Sequence, residues 1–220
     1  MTASWATDLA RRIGRLWVLK MLGTTAFMFA FFWAYFTVMK HPLQTPVEVP
    51  TLWLDQWVPL TPWAYGVYIS LWVYVSLAPA VLGHLRALLH YAVWVTALCL
   101  LCLFVFWAFP TQTPVTDIDW SPYPGLALIK GVDAAGNALP SLHVASAVFS
   151  AVWLQRVFQT VGAPRWLQWV NVLHCAAIAW STLATRQHVA WDMLAGALVG
   201  AVFAWLSLRS LRWSKTPIPI

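Results

Sequence analysis

The chain has 220 residues, of which 61% are hydrophobic and only 9% are charged. Soluble domains carry about 25% charged residues, so this composition excludes an ordinary water-soluble domain and predicts a protein that crosses a membrane several times. The formal net charge is +6, and the positions of the basic residues decide what that charge means.

The N-terminal residues 1–15 combine spaced apolar side chains with Arg11, Arg12 and Arg15, which predicts an amphipathic helix on the membrane surface. A bilayer core needs about 20 apolar residues per helical span. The chain offers six such stretches, predicted as spans at residues 16–39, 62–82, 88–109, 139–160, 165–186 and 187–209.

Two segments, 40–61 and 110–138, are broken by prolines and polar residues and are predicted to be loops. The sequence shows no internal repeat and no second domain. Residues 1–220 are therefore predicted to form a single membrane domain of the all-α class, a polytopic bundle of six transmembrane helices.

The basic residues predict the orientation of this bundle. Of the 13 Lys and Arg residues, ten fall on the side of the two termini and three, Lys40, Lys130 and Arg186, fall on the other. Cytoplasmic loops carry the excess of Lys and Arg, so both termini are predicted to be cytoplasmic. The net charge then reflects membrane orientation, and no nucleic acid partner is expected.

Polar residues interrupt the apolar pattern at the outer ends of two predicted helices. The stretch GNALPSLHVASA, from Gly136 to Ala147, begins the fourth helix, and TRQHVAWD, from Thr185 to Asp192, begins the sixth. Ionisable residues inside a membrane are costly and mark functional sites. Since both stretches lie at the same end of the bundle, we predict that they meet in one outward-facing site.

Within the second stretch, His188 and Asp192 are four residues apart and are predicted to share a helix face. A carboxylate that accepts a hydrogen bond from the imidazole Nδ1 leaves Nε2 available as a nucleophile or base. Gly196 and Gly200 continue the row at the same spacing, and small residues allow close helix contact in lipid. This face is therefore predicted to pack against protein.

In the first stretch, Ser141 and the backbone amides behind it are predicted to form an anion-binding helix N-terminus. His143 follows two residues later and is predicted to give a proton to a leaving oxygen. A phosphate held there, attacked by His188 and released with help from His143, would make a complete phosphoryl-transfer site. The sequence shows no metal-ligand cluster, so neither a metal nor a cofactor is expected.

The motifs PSLH and HVAWD resemble the second and third signatures of the type 2 phosphatidic acid phosphatase superfamily, P-S-G-H and S-R-x5-H-x3-D. The longer stretches GNALPSLHVA and STLATRQHVAWDMLAG are similar to the branch that contains inositol phosphorylceramide synthases. The resemblance covers residues 105–205 best. It implies that His188 is a nucleophile forming a phosphohistidine, Asp192 its orienting acid, His143 the acid–base partner and Ser141 a phosphate ligand.

The chain departs from that pattern in its cations. The first signature, K-x6-R-P, is absent, and Thr182 stands where the arginine of the third signature is expected. Arg186 is therefore predicted to bind the phosphate, with Lys130 as the next candidate. Tyr65, Tyr68 and Asn137 complete the predicted substrate-binding residues.

The predicted function is a lipid phosphatase that hydrolyses a lipid phosphate or pyrophosphate at the periplasmic face of a bacterial inner membrane. Transfer of the phospho-headgroup to a lipid or polyol hydroxyl is the alternative, and the oligomeric state is left open. A transporter is disfavoured because the lower halves of the fourth and sixth helices are apolar. A haem protein is disfavoured because His90 and His174 lie at different depths.

Overall fold

The computed structural model describes residues 4–115, 117–132 and 136–213. Two helices open the chain, α1 (Trp5–Gly14) and α2 (Trp17–Lys40). The next segment contains β1 (Val47–Glu48), α3 (Trp53–Trp57), α4 (Ala64–Ile69) and α5 (Leu71–Ala80). It leads to α6 (Leu85–Ala108), β2 (Thr111–Gln112) and α7 (Pro124–Val132), and then to α8 (Leu142–Thr160), α9 (Arg165–Ala184) and α10 (Ala190–Trp213).

The all-α membrane architecture predicted from composition is confirmed. Among the described residues, three helical segments are long and apolar enough to cross a membrane, namely Trp17–Lys40, Leu85–Ala108 and Ala190–Leu211, and a shorter apolar helical segment covers Ala64–Ala80. Helices α8 and α9 are less apolar because they carry polar side chains that pair inside the bundle. Asn171, for example, accepts a hydrogen bond from Tyr74 at 2.8 Å and donates one to the carbonyl of Ala151 at 2.9 Å.

Several boundaries differ from those predicted. The second predicted span is divided at Ser70 into α4 and α5, and the last helix begins at Ala190 instead of residue 187. The two segments predicted as loops contain the short helices α3 and α7 and two short strands. The strands form a parallel pair that joins Val47 to Thr111, a long-range pairing that local sequence patterns do not reveal.

Helix α8 occupies the centre of the bundle, where its side chains Phe149, Trp153 and Leu154 are buried. It packs against α5, α6, α9 and α10. The contact with α10 is the closest of these, because Gly196 lies against the carbonyl of Ser141 and Gly200 against that of Ala145. This close approach confirms the packing role predicted for the two glycines and brings the start of α10 beside the start of α8.

The amphipathic helix α1 is attached to the bundle by Lys20. The Lys20 ammonium is buried and donates hydrogen bonds of 2.7 Å to the carbonyls of Arg12 and Ala80. Ser4 caps the helix by accepting from the backbone N–H of Thr7 at 3.3 Å. A helix is thus present at Trp5–Gly14 within the predicted segment, and its position on the membrane surface stays a prediction.

Candidate active site

The start of helix α8 is fixed by Ser141. Its side chain is the N-cap and accepts a hydrogen bond from the backbone N–H of Val144 at 3.3 Å. Its own backbone N–H donates to the carbonyl of Asp192 at 2.9 Å, which ties the start of α8 to the first turn of α10. Ser141 is fully buried, with 0% exposure, so its hydroxyl lies inside the protein at a helix N-terminus.

His188 lies in the turn between α9 and α10, not on the helix. The turn is tight because the backbone N–H groups of Gln187 and His188 both donate to the carbonyl of Thr182, at 3.0 and 3.1 Å. Arg186 adopts a left-handed backbone conformation, with φ of 58°. The expectation that His188 and Asp192 share a helix face is therefore wrong, because the helix begins only at Ala190.

The two residues still meet, for a different reason. Asp192 is fully buried in the first turn of α10, and its Oδ2 accepts from the backbone N–H of Val189 at 3.0 Å. This is the side-chain-to-backbone half of a capping box. It turns the carboxylate back toward the preceding residues, so Oδ2 lies 3.4 Å from His188 Nδ1. This distance is longer than a usual N–H···O hydrogen bond.

The two predicted histidines come together across the helix ends. The ring centroids of His143 and His188 are 6.1 Å apart, with 57° between the ring planes. His143 stacks on Tyr68 at 4.5 Å and meets the edge of Trp72 at 5.7 Å. The aromatic side chains therefore fix the orientation of the His143 ring beside His188.

Both histidines line a cavity of about 420 Å³ whose wall is otherwise mostly apolar. The lining includes side chains of α2 from Leu19 to Phe36, a stretch of about 25 Å along the helix axis at 1.5 Å per residue. Lys20, tied to backbone carbonyls, lies at the far end of that stretch. The cavity therefore extends from the histidines as a long, mostly apolar space along α2.

The structure places Arg186 differently from the prediction. Its guanidinium donates to the carbonyls of Asp55 and Val58, at 3.0 and 2.9 Å, and Arg186 does not line the cavity. These bonds attach the segment 52–58 to the turn that carries His188. Arg186 is the charged residue nearest to His188 in the sequence, but its left-handed backbone and the carbonyls of a distant loop direct its side chain elsewhere.

Asp55 lies next to the candidate site and was not predicted from the sequence. It is buried, and its two carboxylate oxygens accept from the backbone N–H groups of Leu52 at 2.7 Å and Ala190 at 2.8 Å. It therefore caps α3 and α10 together, next to the turn of His188. An acidic residue in the first turn of a short helical segment is a capping signal, but no local pattern predicts the partner 135 positions away.

The other predicted binding residues are divided between the cavity and its surroundings. Asn137 lines the cavity and donates to the hydroxyl of Tyr35. Lys130 lies over the ring of Trp120, at 5.9 Å from its centroid, and does not line the cavity. Tyr65 packs against Gly125 of α7 and is also outside the lining.

Metal-ligating side chains are not clustered in the parts of the chain that the structure describes. No group of three or more His, Cys, Asp or Glu residues is placed there to hold a metal ion. The described site residues instead offer two imidazoles, two buried carboxylates that cap helix α10, and the N-terminus of α8. These groups can supply a nucleophile, a general acid and an anion-binding helix end.

Comparisons with known proteins agree with the motifs. A family model described as PAP2 superfamily matches residues 104–215, just over half of the chain. A curated relative, Lipid A 4'-phosphatase from Bacteroides thetaiotaomicron, is 26% identical over 114 residues, which cover 49% of this chain and 46% of that protein. The chain thus matches about half the length of this relative. No solved structure matches the chain.

Proposed function

Because the chain belongs to the PAP2 superfamily, we propose that it is an integral-membrane phosphatase acting on a lipid phosphate or pyrophosphate. The observation that carries the proposal is the pair of neighbouring imidazoles, with ring centroids 6.1 Å apart, on the wall of a mostly apolar cavity. A soluble phosphate ester has no apolar chain that would fill such a cavity. A lipid places its phosphate between the histidines and its chain along α2.

In the proposed reaction His188 is the nucleophile. Its Nε2 attacks phosphorus, a P–N bond forms, and the P–O bond to the lipid breaks. His143 gives its proton to the departing oxygen, so the lipid leaves as a neutral alcohol, or as a lipid phosphate when the substrate is a pyrophosphate. His143 then takes a proton from water, whose oxygen attacks the phosphohistidine and releases inorganic phosphate.

Asp192 supports this chemistry from behind the nucleophile. Its Oδ2 lies 3.4 Å from His188 Nδ1 and is held by the backbone N–H of Val189. A carboxylate in this position favours the tautomer with the proton on Nδ1 and stabilises the positive charge that develops on the ring. Apo geometry of this kind tightens when substrate binds.

Phosphate binding is assigned to the N-terminus of α8. First-turn amides of a helix have no acceptor within the helix and attract anions. At α10 this need is met by carboxylates, since Asp192 accepts from Val189 and Asp55 from Ala190. The anion is therefore placed at the start of α8, where Leu142 and His143 line the cavity and no acid caps the helix; Ser141 itself caps this helix end and does not line the cavity.

The lipid A 4'-phosphatase relative is consistent with a bacterial lipid phosphate as substrate. The ten-to-three distribution of the 13 basic residues supports cytoplasmic termini and a site at the periplasmic face of the inner membrane.

The test is phosphate release by the purified protein in detergent, from phosphatidic acid, a polyprenyl pyrophosphate and lipid A. His188→Ala is expected to abolish release. His174→Ala is the matched control, because this histidine contacts Ser70 and Tyr74 and does not line the cavity. Wild-type turnover by His188→Ala would refute the mechanism.

Two additions to the same assay test the finer claims. Excess EDTA is expected to leave the rate unchanged, since the proposed steps need only imidazoles, a carboxylate and helix amides. Adding inositol or diacylglycerol separates hydrolysis from transfer, because a phosphorylated alcohol would replace free phosphate as the product if a hydroxyl took the place of water.

A further inference from the structure

The cavity wall contains a pair of hydroxyl groups, those of Tyr91 in α6 and Ser150 in α8. Their hydroxyl oxygens are 3.2 Å apart, and both residues line the cavity. Both are almost fully buried, with exposures of 4% and 1%. Ser150 shares one face of α8 with His143 and Ser146, which are seven and four residues before it. It therefore lies about 10 Å from His143 along the helix axis.

The Tyr91–Ser150 pair has one hydroxyl proton more than its own hydrogen bond uses. Two hydroxyl groups carry two protons, and one proton is used in the bond between Tyr91 and Ser150. In the part of the chain that the structure describes, neither hydroxyl has a second hydrogen-bond partner. A polar pair that served only to join α6 to α8 needs one donor and one acceptor. Both residues line a mostly apolar cavity, where a hydroxyl proton without an acceptor is costly.

We propose that this second proton is donated to a carbonyl oxygen of the substrate. The inference rests on the proposed function and narrows its substrate class. A lipid whose chains are attached through ester or amide groups carries a carbonyl a few bonds beyond its phosphate, at the level of Ser146 and Ser150. A polyprenyl phosphate has only hydrocarbon there and would leave the donor unpaired. The enzyme therefore prefers acylated lipid phosphates.

The experiment compares substrates that differ only in the carbonyl. Dioleoyl phosphatidic acid and its dialkyl ether analogue share phosphate, glycerol and chain length. Wild-type kcat/KM is expected to be about five- to tenfold higher for the ester, the effect of one buried neutral hydrogen bond. Ceramide 1-phosphate provides the amide arm of the assay, and farnesyl phosphate provides the hydrocarbon arm.

The variant Tyr91→Phe with Ser150→Ala removes both hydroxyls and keeps the Tyr91 ring that packs on Phe149 and Trp153. It is expected to bring the ester-to-ether ratio of kcat/KM to about one. The control Tyr74→Phe removes another buried hydroxyl, which bonds Asn171 and does not line the cavity. It is expected to keep the wild-type ratio.

The outcomes separate the two proposals. If phosphate release continues but the wild type has an ester-to-ether ratio near one, the carbonyl-binding role of the Tyr91–Ser150 pair is overturned. An unchanged ratio in the double variant overturns it as well. Absence of phosphate release from every lipid in the wild type overturns the proposed function and this inference with it. The wild-type comparison requires no variant, so it decides the question even where the double variant fails to fold.

Discussion

Gly196 packs helix α10 against the start of α8, beside the proposed site. The variant Gly196→Ala tests whether this close contact is needed for phosphate release. A methyl group there would overlap the carbonyl oxygen of Ser141 and lie 3.2 Å from its carbonyl carbon. Carbon contacts are optimal near 3.5–4.0 Å, so α10 must move away from α8 by about 1 Å to relieve the overlap. The movement falls at the level where Ser141 contacts Asp192.

The magnitudes predict a larger effect on rate than on stability. Overpacking costs about 1–3 kcal/mol, and the better helix propensity of alanine returns about 0.8–1 kcal/mol, so the net loss of stability is small. A displacement of about 1 Å at a catalytic site lowers the rate about 100-fold. We expect Gly196→Ala to lose most phosphate release while its Tm in detergent falls by only a few degrees.

The matched control is Gly66→Ala in α4. A methyl group added there meets nothing within 4 Å, so the variant is expected to keep its activity and to be slightly stabilised, by up to about 1 kcal/mol. A Gly196→Ala rate within threefold of wild type would refute the reasoning, because it would mean that the two helices separate without disturbing the site.

Two further predictions concern the cations and the orientation. Arg186→Ala removes two hydrogen bonds from a charged donor to the segment 52–58. Because each such bond contributes about 1.5–3 kcal/mol, we expect this variant to have a lower Tm. The control Lys130→Ala is expected to leave the Tm unchanged. An unchanged Tm in Arg186→Ala with lost phosphate release would instead assign this guanidinium to phosphate. For orientation, with the three native cysteines replaced, a cysteine at the exposed Val115 is expected to react with an impermeant maleimide on intact cells, and one at the exposed Gln159 is not. The reverse labelling would turn the site toward the cytoplasm.

Composition and local motifs predict the kind of molecule and indicate where along the chain the candidate site lies. Long apolar runs favour helices in a bilayer, because a helix satisfies all backbone hydrogen bonds within the segment itself. The motifs around His143 and His188 stand at helix ends, and their order indicates the same end of the bundle. The spacing of Gly196 and Gly200 likewise predicted a close helix contact. These inferences depend on local composition and periodicity, which the sequence displays directly.

Which of these groups meet depends on how the helices pack. His188 reaches Asp192 through a turn and a capping carboxylate instead of a shared helix face. Asp55 caps Ala190 from 135 positions away, and Arg186 bonds its carbonyl from 131 positions away. The sequence pattern identifies a charged or capping residue but not its partner, because the partner is set by how distant helices pack. For the same reason the apolar cavity and the Tyr91–Ser150 pair became visible only when α2, α6 and α8 were placed together.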